Sequence, residues 1–160
     1  MNDKEYYNDQ LVRWEELFYH ELSDCAGWKT QFIGVDFIQS KDIKGNTPEE
    51  VIENCIKEIT GAGICEEMTY SIGGEGILLK LGMKGCVHLP KEAKLKKNGF
   101  PIYNCPVTNM IHDQLIEKLG FETTYIADFD VNEKTGECKT KSAIYETINE
   151  IGKVSDWSKE

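Results

Sequence analysis

Two pairs of short segments, each joined across a glycine-bearing turn, constrain the fold of this chain more than any other feature. Glu67 to Ile72 and Ile77 to Met83 flank Gly73-Gly74-Glu75-Gly76, which reads as a hairpin. Further along, Phe121, Thr123, Tyr125, Ala127, Phe129 and Val131 alternate with Glu122, Thr124, Asp128 and Asp130, the period of a half-buried strand. Glu133-Lys134-Thr135-Gly136 then turns the chain into a last strand, Glu137 to Glu146. Hairpins pair antiparallel, and no strand–helix–strand crossover separates the members of either pair. The glycines of the first turn do not form a phosphate loop, because no Lys-Ser/Thr follows them and a strand comes next.

The remaining periodic segments are helical. From about Lys4 to Asp24, Tyr7, Leu11, Trp14, Phe18, Leu22 and Cys25 recur at spacings of three and four and make one apolar stripe, ended by Gly27. Residues Thr30 to Ile38 suit a short strand or an extended connection. Thr47-Pro48-Glu49-Glu50 is a helix start with proline at the first helical position. Val51, Ile52, Cys55, Ile56 and Ile59 give that helix its buried face. Gly85 to Asn104, with Pro90 and Pro101, reads as a long loop of the kind that binds or covers a ligand. A third helix follows from Pro106 to Leu119, with Val107, Met110, Ile111, Leu115 and Leu119 inward and Gly120 as its stop. The order predicts an α+β fold: an antiparallel sheet of about four to five strands with helices packed on one face. Residues 1–153 make one domain, with an N-terminal helix over 4–26, and 154–160 read as a frayed tail around Trp157.

A formal net charge of −10 argues against nucleic acid and against an anionic membrane surface. The densest basic stretch, Lys91, Lys94, Lys96 and Lys97, reads as a solvated loop. Met1 to Tyr7 is polar, without an export or membrane-spanning run, so the expected compartment is the cytoplasm. Thiols stay reduced there. The chain has six cysteines, none in a CxxC pair.

Four side chains carry the chemical expectations. Cys86 and His88, two apart on extended chain, point the same way and can converge on one ion, although the spacing suits a structural coincidence equally well. Cys105 precedes Pro106 at the head of a helix, where N–H groups and the dipole favour a thiolate. Cys138 opens the last strand. Cys25, Cys55 and Cys65 are expected in the core. His20 is expected in solvent. His112, two turns after Cys105, suits either a pocket or a polar helix surface. Asp128, Asp130 and Asp36 are expected to be solvated, and neither a GxSxG elbow nor a dinucleotide fingerprint is present.

Residues 76–146 resemble the vinyl-reductase-type hydrocarbon-binding domain, whose fold is akin to that of certain vesicle transport-particle subunits. The likeness rests on Asn104-Cys105-Pro106 at the head of a helix, the strand from Phe121 to Val131, and Gly136-Glu137-Cys138 opening the last strand. Asp130 stands where that family often has another cysteine. Asn109, His112 and Asp113 replace the small residues often seen along its helix. The resemblance implies a small apolar or aromatic ligand in a pocket beside a cysteine-bound zinc, with Cys105 and Cys138 as ligands.

The leading expectation is therefore a ligand-binding or sensor domain with zinc held by Cys86, His88, Cys105 and Cys138. Its pocket would be lined by Phe100, Ile102, Tyr103, Met110, His112 and Tyr125. One alternative is an enzyme using Cys105 as nucleophile or redox thiol, assisted by His88 or His112. Another is an interaction module that forms a homodimer through the first helix, with Tyr6, Tyr7 and Trp14 partly exposed.

Overall fold

The structure, a computed structural model, describes residues 2–73 and 77–147. The centre of the first hairpin turn and the tail around Trp157 fall outside them. Helix α1 (Asp3–Leu22) begins on an Asn2 cap, whose side chain accepts from Glu5 N while the Glu5 carboxylate accepts from Asn2 N. A 3₁₀ turn (Ser23–Cys25) and two short helices, α2 (Ala26–Lys29) and α3 (Val35–Gln39), follow. The strand or extended connection expected over 30–38 is thus helical. Gly34 opens α3 with φ 91°, and a Cβ there would meet Pro106 Cβ at 2.8 Å. Only glycine allows that close approach.

Helix α4 (Pro48–Gly61) starts on Thr47, which accepts from Glu50 N at 3.3 Å, and buries Val51, Ile52, Cys55 and Ile59. Strands β1 (Glu67–Gly73) and β2 (Ile77–Lys84) pair as expected, and so do β3 (Thr123–Asn132) and β4 (Glu137–Tyr145). All four form one antiparallel sheet in the order β1-β2-β4-β3, so the two hairpins meet along β2 and β4. The inner face carries Met68, Tyr70, Leu79, Leu81, Met83, Phe129, Val131 and Ile144, packed in one core with residues of α4, of α5 (Leu89–Lys97) and of α6 (Pro106–Leu119). Lys80, Lys139 and Lys141 lie on the opposite face, in register with one another or nearly so. This is the α+β architecture expected from the sequence.

Four further expectations are overturned. Helix α5 occupies the segment read as a loop, because Pro90 sits in the first helical turn, where its missing donor costs nothing. The lysines of that helix are not uniformly solvated. Lys91 is 1% exposed and pairs with Glu15 and Glu92, while Lys94 pairs with Asp9. A β-bulge between Ile126 and Asp128 reverses the alternation of β3. Phe129 and Val131 therefore pack in the core, whereas Tyr125 is half exposed.

Helix α1 presents the fourth. Its buried residues are Val12, Glu15 and Glu16, while the apolar stripe expected from its periodicity faces outward and Cys25 is exposed. The polar side of α1 is held to α5 by Lys91–Glu15, Lys94–Asp9 and Asn98 donating to Glu16 at 2.7 Å. Lys91 Nζ stands 2.7 Å from Glu92 Oε1, at an angle that leaves neither Glu92 oxygen an aligned hydrogen bond. Two carboxyl groups and one ammonium are thus buried together. Removing the cation strands them. Lys91→Met is expected to cost roughly 3–5 kcal/mol in urea unfolding, whereas replacing Glu15, Lys91 and Glu92 together by Leu, Met and Leu should be near neutral or stabilising.

Candidate functional site

Antiparallel pairing brings the start of β1, the end of β2 and the start of β4 to one end of the sheet. Backbone hydrogen bonds tie these segments: Val87 N to Ile64 O at 2.9 Å, and Gly85 N to Gly136 O at 3.0 Å. Cys65, Cys86 and Cys138 therefore arrive together, and Cys105 reaches them from the head of α6. All four are buried in one core cluster. Cys86, Cys105 and Cys138 were expected to converge. Cys65 was assigned to the core and is indeed buried, but it also belongs to this group. Only its place beside a strand start, the position shared by Cys138, could have indicated that.

The thiols differ in ionisation. The Cys65 S–H donates to the Cys86 sulfur, which raises the Cys65 pKa and lowers that of Cys86 to about 7. Backbone N–H groups of His88 and Leu89 and the nearby Lys91 charge add to the effect on Cys86, against its burial. Cys105 behaves otherwise than its position suggests. Burial pushes it up to about 12, although its sulfur accepts from Thr108 N at 3.5 Å and Thr108 Oγ1 at 3.2 Å. Burial likewise raises Cys138 to about 12. Of these thiols Cys86, not Cys105, is the one whose ionisation is favoured. Glu92 borders the group, and burial raises its carboxyl to about 8. Burial also lowers His88 to about 4, and its ring has no hydrogen bond among the described residues. Among those residues, no three Cys, His, Asp or Glu side chains are spaced as a metal ion requires.

From the thiols, a polar seam runs between α6 and β4. Thr108 Oγ1 lies 3.3 Å from Thr140 Oγ1, and His112 Nε2 lies 2.8 Å from Ser142 Oγ, all of them buried. His112 is therefore not on a polar helix surface; it is enclosed and neutral, its pKa lowered by burial to about 3. Beyond it opens a cavity of about 430 Å³ between α1–α2, the segment before α6, α6 itself and the edge strand β3. Ile102, Tyr103, His112 and Tyr125 line it, four of the six residues expected at a pocket. Met110 belongs instead to the core, and Phe100 packs edge-on against Tyr19 and His20. His20 is exposed, as expected.

Tyr19, Trp28, Gln31 and Asn109 complete the cavity wall. Tyr19 comes from the side of α1 away from its apolar stripe, Trp28 and Gln31 from a segment not read as helix and turn, and Asn109 from a face of α6 read as polar. Asn109 is fixed by donating to Thr30 O and Ile33 O at 3.1 Å and to Asn104 Oδ1 at 2.9 Å. Tyr103 Oη donates to Glu15 O at 2.6 Å. The cavity is mainly aromatic and aliphatic, with an amide and a neutral imidazole at its base.

These features define a class: a four-stranded antiparallel sheet under helices, with a side cavity and a buried thiol cluster at the two ends of one helix–strand seam. No family model matches the chain, and no curated protein or solved structure does either. Among the described residues no helix is long and apolar enough to cross a membrane.

Neutral burial of His112 has a measurable consequence. Its folded pKa lies below the ordinary histidine value of 6.5, so the unfolded chain binds the extra proton between the two values. The stability it contributes is complete above about pH 6.5 and is lost as pH falls toward 3. By pH 5 the loss is about 2 kcal/mol, from 1.36 kcal/mol per unit. Urea unfolding of His112→Gln, which keeps a polar partner for Ser142, is expected to lose that fraction of the acid dependence.

Proposed function

We propose that the chain is a small-ligand-binding or sensor domain, with its cavity taking an apolar or aromatic molecule and its thiol cluster holding zinc. One observation carries the reading: α6 begins at the thiol cluster and supplies two side chains, Asn109 and His112, to the cavity. A volume of about 430 Å³ falls in the range of small-molecule sites. The wall of Tyr19, Trp28, Ile102 and Tyr103 offers stacking area, and Asn109 and His112 offer hydrogen bonds to a polar substituent. The resemblance to the hydrocarbon-binding domain points to the same ligand class.

Cys65, Cys86, Cys105 and Cys138 would supply four sulfurs, the donor set of a closed tetrahedral zinc site, once their side chains drew in from the wider spacing they have here. His88, on the chain between Cys86 and α5, is the further donor expected from the sequence. A divalent cation counters the burial that keeps Cys105 and Cys138 protonated, because a coordinating thiol loses its proton outright. The neighbouring Glu92 carboxyl, buried without an aligned hydrogen bond, is the kind of polar group that gains a partner when a cation enters. A closed site of this kind would fasten the start of α6 to the sheet end and hold the cavity wall in place.

Two measurements test the two parts. Elemental analysis of the untagged protein should find close to one zinc per chain, with Cys65→Ser and Cys105→Ser each weakening retention by roughly tenfold or more. A metal-free parent whose Cys105→Ser variant is equally stable would remove the zinc. Titration with 1-naphthol, followed by Trp28 fluorescence in a background where Trp14 and Trp157 are Phe, should saturate in roughly the tens to hundreds of micromolar, from about 0.5 kcal/mol per heavy atom. Ile102→Phe, which narrows the cavity without adding a second fluorophore at the Trp28 wavelength, should weaken the response sharply; an unchanged response in that variant would place the probe elsewhere.

A further inference from the structure

The apolar stripe that α1 turns outward follows a strict rule. Lys4, Tyr7, Leu11, Trp14, Phe18 and Glu21 are spaced three, four, three, four and three, the a/d alternation of a coiled-coil seam. Tyr7, Leu11, Trp14 and Phe18 are 66, 44, 55 and 37% exposed, and Lys4 and Glu21 are exposed at the two ends. A helix that merely covers a globular core shows a broader apolar face. Here the face toward the body is already used by Val12, Glu15 and Glu16, on the other side of the helix.

The seam is also a palindrome in chemical type. A two-fold axis through its middle, running two copies antiparallel, pairs residues whose numbers add to the same total. Tyr7 then meets Phe18, Leu11 meets Trp14, and Lys4 meets Glu21 of the second copy. Aromatic and aliphatic groups fall in the centre, and opposite charges fall at both ends. A parallel in-register pair would instead set Lys4 against Lys4 and Glu21 against Glu21. Asp9 and Glu16 share the same total and the same sign, but they face α5, where Lys94 and Asn98 engage them.

We propose that α1 is the interface of a homodimer, two copies of the helix packing antiparallel along this seam. The buried ionic contacts of α1 with α5 fix the orientation in which the stripe is presented. The net charge of −10 disfavours an anionic membrane as the covering partner. The long axes cross at about 20°, as coiled-coil packing requires, so the end charges stay within reach of each other.

The full chain is tested in two ways. Sedimentation velocity from low to high micromolar concentration should show a reversible dimer, and Trp14→Glu should raise its dissociation constant by about tenfold or more while leaving the helicity, and the melting temperature at concentrations where the parent is monomeric, unchanged. On the unaltered chain, a zero-length carbodiimide cross-linker should join Lys4 to Glu21. These residues lie roughly 25 Å apart along one helix, so that link can form only between copies. A monomer at every concentration would overturn the proposal. A dimer indifferent to Trp14→Glu, or one lacking the Lys4–Glu21 link, would overturn it equally.

Discussion

The seam between α6 and β4 sets the position of everything else in this chain. Thr108 with Thr140 and His112 with Ser142 are buried pairs. A buried hydroxyl or imidazole left unpaired costs about 1–3 kcal/mol, so each pair penalises any sliding of helix over sheet. Apolar contacts alone would tolerate such sliding, because they are not directional. The side chains recur every three or four residues on the helix and every two on the strand, so they meet in a line with both elements running the same way. One end of that line is the thiol cluster. The other end is the cavity.

A second polar device lies between α1 and α5. Burial of Lys91 between Glu15 and Glu92 is not an efficient source of stability, since desolvation of the buried charges consumes most of their attraction. What it supplies is direction. A helix docked through apolar residues would have turned its Tyr7–Phe18 stripe inward. Docking through carboxylates that find Lys91, Lys94 and Asn98 leaves the stripe outside. The same contacts draw Tyr19 and Tyr103 into a stacked pair at 5.8 Å, which forms part of the cavity wall. Orientation of α1 and shape of the cavity thus share one cause.

Element order, hairpin pairing and the ends of α4 and α6 were legible in the sequence because each has a local physical signature. Pro48 and Pro106 begin helices, Gly120 takes the left-handed conformation with φ 75° that ends one, and strand alternation sets period two. The departures arise where a local signal has two physical meanings. Pro90 marks a loop or a first helical turn, and the lysines after it suit either. A run alternating at period two gives the inward face only while the period holds, and the bulge beside Asp128 breaks it without a glycine or proline to betray the place. The outward stripe of α1 is the plainest case. Periodicity reports that a helix has an apolar side, not which way that side points, and the deciding contacts lie some 80 residues away in α5. The cavity was partly legible for the same reason: residues next to Cys105 were visible, whereas Tyr19 and Trp28 depend on that long-range docking.

Cysteine ionisation shows how two familiar effects compete and which one wins. A helix N-terminus favours a thiolate, and Cys105 stands at one, with Thr108 N and Oγ1 both donating to its sulfur. Its complete enclosure outweighs both, because the charged form has no water around it, and the thiol stays protonated. Cys86 is also at a helix start and also buried. It differs in receiving an S–H from Cys65, two backbone N–H groups and the field of Lys91, and together these overcome its burial. An S–H donor in place of water is the discriminating feature.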